Sequence, residues 1–367
     1  MNGNDKLQNV RMRSTLKIFA AALIFAALTL GLYAAARWIP GFVDGVYRDV
    51  SRTAIYGLSR ATGWIPFSTA EILLYLIALS VVTSVVRLIW VLIAGPRRAA
   101  YLLRFVAWLL LYAALLAFLF CGLWGLNYRA QPLAETMGLT VRKRSTAELT
   151  ELNRFLIERA NRYALQIPRD ENGAAQAIDF AETAEKVAAA CSRKTGRKEA
   201  PVKGVLASKP LSYTRVTGIF IPYTGEANVN RNNTPADLPF VMAHESAHRY
   251  AIAPEDEANF YAFYLLEDSD DPLLAYSAAL SALIYCQNAL HDCDYAAFAE
   301  LHATYSKPVI ADLTAYAEHW AQYEGPVSDV SETVNNTYLI VQGESDGTKS
   351  YGRMVDLMLA WYDARTR

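Results

Sequence analysis

Three long uncharged stretches near the front of the chain restrict where it can fold. Residues 18–36 (IFAAALIFAALTLGLYAAA), 72–86 and 105–126 (FVAWLLLYAALLAFLFCGLWGL) carry no charge, and the second continues past Arg87 through LIWVLIAG. Each can cross roughly 30 Å of hydrocarbon, the second with Arg87 reaching toward the nearer surface. They are apolar all round rather than along one stripe, as suits a helix surrounded by lipid. No convincing cleavage site follows the first run, so it reads as a retained membrane helix rather than a signal peptide. The chain has 367 residues and is 53% hydrophobic, and the excess is concentrated here. The remainder is long enough for one further domain.

Lysine and arginine set the expected orientation. Lys6, Arg11, Arg13 and Lys17 precede the first run, and Arg97, Arg98 and Arg104 lie between the second and third. Both segments are expected in the cytoplasm. Residues 37–70 are then outside, although they carry Arg37, Arg48, Arg52 and Arg60. That stretch is amphipathic, with Trp38, Tyr47, Ile55, Tyr56 and Trp64, and suits the membrane interface. The expectation is a multi-pass protein of the cell membrane. Residues 1–126 form the membrane domain, the amino terminus is cytoplasmic, and residues 127–367 form an extracytoplasmic domain. The net charge of −1 gives no argument for nucleic acid.

Within the second part lies VMAHESAHRYAIAPEDEANFYAFYLL, residues 241–266. It contains His-Glu-x-x-His as His244, Glu245 and His248. Four residues apart on a helix, the two histidines share a face and can supply two ligands of a tetrahedral zinc. Glu245 is rotated away from them and can act as general base toward water that the metal acidifies. The helix around them is apolar, so burying the pair is costly without a partner such as a metal. Pro254 suits the first turn of a following helix. Glu255 is the expected third ligand, with Glu257, on another side of that helix, as the alternative. Asn259, four residues after Glu255, can orient a ligand imidazole.

The rest of this domain reads as mainly helical with a small sheet. Ser145 and Glu148 form a capping box ahead of an apolar stripe, and residues 174–192 read as an alanine-rich helix. VKGVLAS and TRVTGIFIPYTGEANVN read as strands, whose free edge suits an extended peptide. Glu226 and Asn228 read first as turn residues within reach of the site. Thr234-Pro235 reads as the start of the motif helix. Further helices are expected over 271–288, 295–305 and 309–323, with QGESDG as a turn before a last helix. Tyr338 and Tyr351 are candidates to donate to a developing oxyanion. His291, His302 and His319 read as ordinary surface or core histidines. The four cysteines contain no CxxC pair, which argues against a cysteine zinc site and leaves a Cys286–Cys293 bridge open.

HESAHRYAIAPEDEANFYAFYL, with YTGEANVN before it and NNTYL and DGTKSYG after it, resembles the bacterial membrane family known only as domain of unknown function 3810. The three apolar runs and WGLNYR resemble that family too. The site is also similar to the gluzincin pattern, in which a glutamate on the next helix ligates zinc and an acidic residue four later supports a histidine. By position, Glu255 takes the ligand place and Asn259 the supporting one. Asparagine there departs from the usual aspartate, and the short step from His248 to Glu255 is a second departure.

The resemblance implies an α+β fold in which three transmembrane helices precede a zincin-like domain. The function expected is that of a membrane-anchored zinc peptidase with one zinc ion. Its partners would be a peptide or protein substrate and the lipid bilayer. The rival readings are a metal-stabilised structural or sensory membrane protein without catalysis, and a cell-wall amidase.

Overall fold

The computed structural model describes residues 3–95, 97–342 and 352–366, with side chains from residue 12 onward. These are mostly helical, with one three-stranded sheet. Three apolar helices come first: α1 (Gly3–Trp38), α3 (Thr69–Ala94) and α4 (Arg98–Leu123). Each is long and apolar enough to cross a membrane. Between Glu71 and Val91 no residue of α3 is buried, and its leucines, isoleucines and valines are exposed on every side. Such a surface needs lipid to cover it. Helix α11 (Pro272–Cys293) also meets the length and hydropathy requirement, but 67% of its apolar window is buried, against 6–11% for the other three. It is a core helix, as its place among the domain helices implied.

The core is built from α6 (Thr146–Ala164), α7 (Phe180–Thr195), α9 (Leu238–Arg249), α10 (Glu255–Leu266), α11 and α15 (Gly352–Thr366). The expected capping box opens α6, with Ser145 and Glu148 each bonded to the other's backbone. Helix α7 begins later than its alanine content suggested. Asp179 accepts from Glu182 N at 2.8 Å and sets the first turn, whereas Ala175 N is taken by Asp312 Oδ1 at 2.6 Å. Helix α10 is the centre of the domain. Phe260, Ala262, Phe263, Leu265 and Leu266 are all at most 1% exposed.

The sheet has the order β1–β3–β2. Strand β1 (Lys203–Gly204) runs parallel to β3 (Glu226–Val229). Strand β2 (Gly218–Ile221) runs antiparallel to β3, with Gly218 opposite Val229 and Ile221 opposite Glu226. Among the described residues β2 is therefore an edge. Gly225 makes the β2–β3 turn at φ +66°.

The amphipathic connection is helix α2 (Arg48–Thr62), preceded by a π-helical turn at Val43–Tyr47. One face of α2 packs on the domain rather than lying free. Arg52 Nε donates to Tyr250 O at 3.0 Å, and Ser51 Oγ accepts from Asn127 Nδ2 at 2.9 Å. A Cβ at Gly225 would come within 2.6 Å of Ser59 N and 2.7 Å of Ile55 O. Helix α3 is fixed to the same sheet. The buried Glu226 carboxylate accepts from Thr69 N at 3.2 Å and Ala70 N at 2.7 Å, and pairs with Lys203. Glu226 and Asn228 thus lie on β3 and serve the sheet and the helix N-terminus, where a carboxylate is favourable. Helix α2, although it precedes residue 126, packs on the domain that follows the apolar helices.

Cys286 is buried and Cys293 exposed, and both are free thiols. Seven residues apart on α11, they are separated by about 10 Å, beyond disulfide reach.

Gly225→Ala combines an unfavourable left-handed residue with a backbone clash. It is expected to lower stability by about 2 kcal/mol or more. Thermal unfolding of the detergent-solubilised protein measures this, and an unchanged midpoint would contradict the close packing of α2 on the hairpin.

Candidate functional site

Helix α9 carries the motif. It begins at Leu238, with Asp237 at the cap position and Pro239 in the first turn, later than Thr234-Pro235 predicted. Ala243 and Ala247 are fully buried, which lets neighbouring backbones approach. The helix ends sharply. Ala251 takes φ +60°, its N–H returning to His248 O at 2.9 Å. A left-handed residue reverses the chain in few steps. It is how so short a step from His248 lets Glu255, the first residue of α10, face back onto α9. Pro254 sits just before α10, at its cap position.

His244 Nε2 lies 3.2 Å from Glu255 Oε2, and His248 Nε2 lies 3.8 Å from Glu255 Oε1. One ligand atom from each residue falls within 4.8 Å of the others. Ligand atoms of a tetrahedral zinc are separated by about 3.4 Å, so small side-chain movements would suffice. His248 Nδ1 is 2.8 Å from Ile252 O. A carbonyl only accepts, so Nδ1 carries the proton and the Nε2 lone pair faces the cluster. The Trp124 ring stands edge-on to His248, with centroids 5.6 Å apart, and Phe220 packs on the same ring at 6.2 Å.

Electrostatics also favour a cation here. Burial opposes charge on His244, but Glu255 and Glu245 outweigh it and push the ring up to about 9. Burial likewise works against the Glu255 carboxylate, yet the two imidazoles hold it below its ordinary value. His248 is pushed down to about 4 by burial, helped by His244 and opposed by Glu255. Two carboxylates beside two imidazoles at a buried spot suit a divalent ion.

Glu245 is 3% exposed. Burial pushes its carboxyl up to about 8, against the pull of His244. Its Oε2 has no hydrogen-bond partner, and the same holds for His244 Nδ1. Gly218 of β2 makes room for this side chain. A Cβ there would come within 2.5 Å of Glu245 Oε1. Gly218 had not been singled out from the sequence, although a glycine inside a strand signals a close approach.

The remaining candidates divide clearly. Glu257, the alternative ligand, is turned away. Its Oε1 accepts from Leu133 N at 2.7 Å, at the start of α5 (Leu133–Thr136), because two residues along a helix point about 160° from Glu255. Asn259 is buried near His244 and favours its charged form, but His244 Nδ1 has no partner at hydrogen-bonding geometry. Asp237 was missed. Its carboxyl is pushed up to about 7 by burial, with His244 and a bond to Ser281 opposing. The seven-residue spacing to His244 is the signal that places both on one face. Tyr338, on α14 (Pro326–Gln342), flanks the site. Its hydroxyl is 3.2 Å from that of Tyr128, and its ionisation is disfavoured first by burial and also by Glu255. Tyr351 lies outside the described residues. His291, His302 and His319 lie on α11, α12 (Tyr295–His302) and α13 (Lys307–Ala321), outside the cluster.

Glu255→Gln is expected to weaken zinc retention by at least about tenfold, and Glu257→Gln to leave it unchanged. Elemental analysis of both purified variants after equilibration with zinc measures this. Equal retention would contradict the ligand set.

The model of a family described as "Protein of unknown function (DUF3810)" matches residues 43–359. No curated protein and no solved structure matches the chain.

Proposed function

The chain belongs to the DUF3810 family, which carries no assigned function, and we propose that it is a membrane-anchored zinc peptidase of the zincin type. Helices α1, α3 and α4 span the cytoplasmic membrane. The charge asymmetry of their flanks supports an amino terminus inside and the domain outside. One observation carries the enzymatic reading. A buried carboxylate, Glu245, lies one residue from a metal ligand, with an unbonded oxygen and a glycine shaped around it. A structural metal site has no need of such a group, and leaving it buried without a partner costs stability.

His244, His248 and Glu255 would hold the ion. A bound zinc supplies Lewis acidity, lowering the pKa of water and polarising a carbonyl. The carboxylate of Glu245 takes a proton from the attacking water and passes it to the leaving amine. Its high proton affinity in a buried setting suits both transfers. The Tyr338 hydroxyl lies on the flank from which it can donate to the carbonyl oxygen as charge develops. The edge of β2 gives an extended chain a backbone ladder that begins at Gly218, against Glu245.

Glu245→Gln is expected to retain zinc and lose hydrolysis of peptides by roughly 10²- to 10⁴-fold. Full activity in that variant would sink the mechanism. Gly218→Ala displaces the Glu245 side chain without touching a ligand. It should keep the metal while lowering hydrolysis by about 10²-fold, the usual effect of a misplacement near 1 Å. Parallel turnover on peptides and on peptidoglycan fragments separates a peptidase from a cell-wall amidase.

A further inference from the structure

We infer that this centre acts on polypeptide held at the bilayer surface: a chain continuous with a membrane anchor, laid along β2 and cut about five residues from that anchor. The inference rests on the peptidase reading and names its substrate class.

The first observation is the depth of the site. Trp124 follows α4 directly, and its ring meets the His248 ring at 5.6 Å. The cluster therefore lies one aromatic ring from the end of an apolar helix. Trp38, at the end of α1, and Trp64, shortly before α3, are 77% and 80% exposed. Exposed tryptophans at helix ends mark the membrane–water boundary, and Trp124, at the end of α4, is the residue that meets His248.

The second observation is the direction of the free edge. Strand β2 starts at Gly218, against Glu245, and leads into the turn that holds Tyr223. The Tyr223 hydroxyl donates to Leu116 O of α4 at 3.1 Å. Leu116 lies seven residues before the end of α4, about 10 Å along the helix. The hairpin thus descends from the catalytic position to the depth of the apolar helix. The ladder itself is four residues, Gly218–Ile221, about 13 Å of extended chain, and the turn at 222–225 carries Tyr223 on to α4. A peptide paired along this edge reaches the membrane over the same length.

The third observation is the rim. Ile219 on the edge is 45% exposed and Tyr223 is 38% exposed. Helix α14, which carries Tyr338, exposes Val327, Val330, Val334 and Val341 at helical spacing. Tyr338 itself packs edge-on to Phe120 of α4 at 6.4 Å. An apolar rim continuous with a membrane helix suits lipid and the chain emerging from it, and not a freely soluble peptide.

The test uses the full-length, zinc-loaded protein in vesicles of phosphatidylethanolamine and phosphatidylglycerol. The probes are mixed-sequence quenched-fluorescence peptides, palmitoylated at either end through spacers of about two, five or fifteen residues. Cleavage should be fastest near the middle spacer, at least about tenfold above the same peptide without palmitate. Equal rates for anchored and unanchored peptides overturn the inference and leave the peptidase reading standing. No cleavage beyond the Glu245→Gln background defeats the peptidase reading instead. Capture then decides the substrate class, using a photoreactive residue in place of Ile219. Selective capture of the anchored peptide sustains it, and equal or absent capture overturns it.

Discussion

A carboxylate facing two imidazoles between packed helices is the interaction on which the domain's centre depends. Each group alone would be expensive to bury. Together they compensate one another, and helices α9 and α10 are placed to make that possible. The left-handed Ala251 supplies the reversal. The outer side of the turn is then clamped. Arg249 donates to Ala200 O at 2.6 Å and to Ser246 Oγ at 2.9 Å, and Arg52 of α2 reaches Tyr250 O. Arg52 thus satisfies a carbonyl that the sharp helix end would otherwise leave unpaired, and Arg249 ties α9 to the loop at Ala200.

The same region ties the domain to the apolar helices. The sheet that shapes the space for Glu245 also carries Glu226, whose carboxylate caps α3, and Glu71 of α3 returns the arrangement by accepting from Leu206 N and Ala207 N. On the other side, Trp124 joins α4 to His248. The site is therefore supported from below by two apolar helices and from behind by α2. Helix α3 is thereby joined to the strand that pairs with Gly218. The usual cost of breaking a buried ion pair, several kcal/mol, makes Lys203–Glu226 a firm joint in that connection.

Much of this was legible where the sequence repeats a local rule. The apolar runs declare themselves because lipid-facing helices lack a polar side. Ser145 and Glu148 announce a helix start because both orphan backbone groups are answered within four residues. His244 and His248 share a face by helical geometry alone. What escaped reading depends on tertiary approach. Gly218 matters because Glu245 arrives from another element. Asp237, rather than Thr234, opens α9. Glu255 and Glu257 could be told apart only by the angle at which α10 meets α9, and that angle comes from Ala251. The amphipathic stretch of α2 looked suited to the membrane interface, and which groups its polar face meets, Tyr250 O and Asn127, depends on tertiary approach.

X-ray absorption at the zinc edge of the full-length protein reads the ligand set itself. A nitrogen and oxygen shell at about 2.0–2.1 Å is expected, with the outer scattering of two imidazoles, one of which disappears in His244→Ala. A shell of oxygen alone, or one containing sulfur, would contradict it and move the metal away from His244, His248 and Glu255.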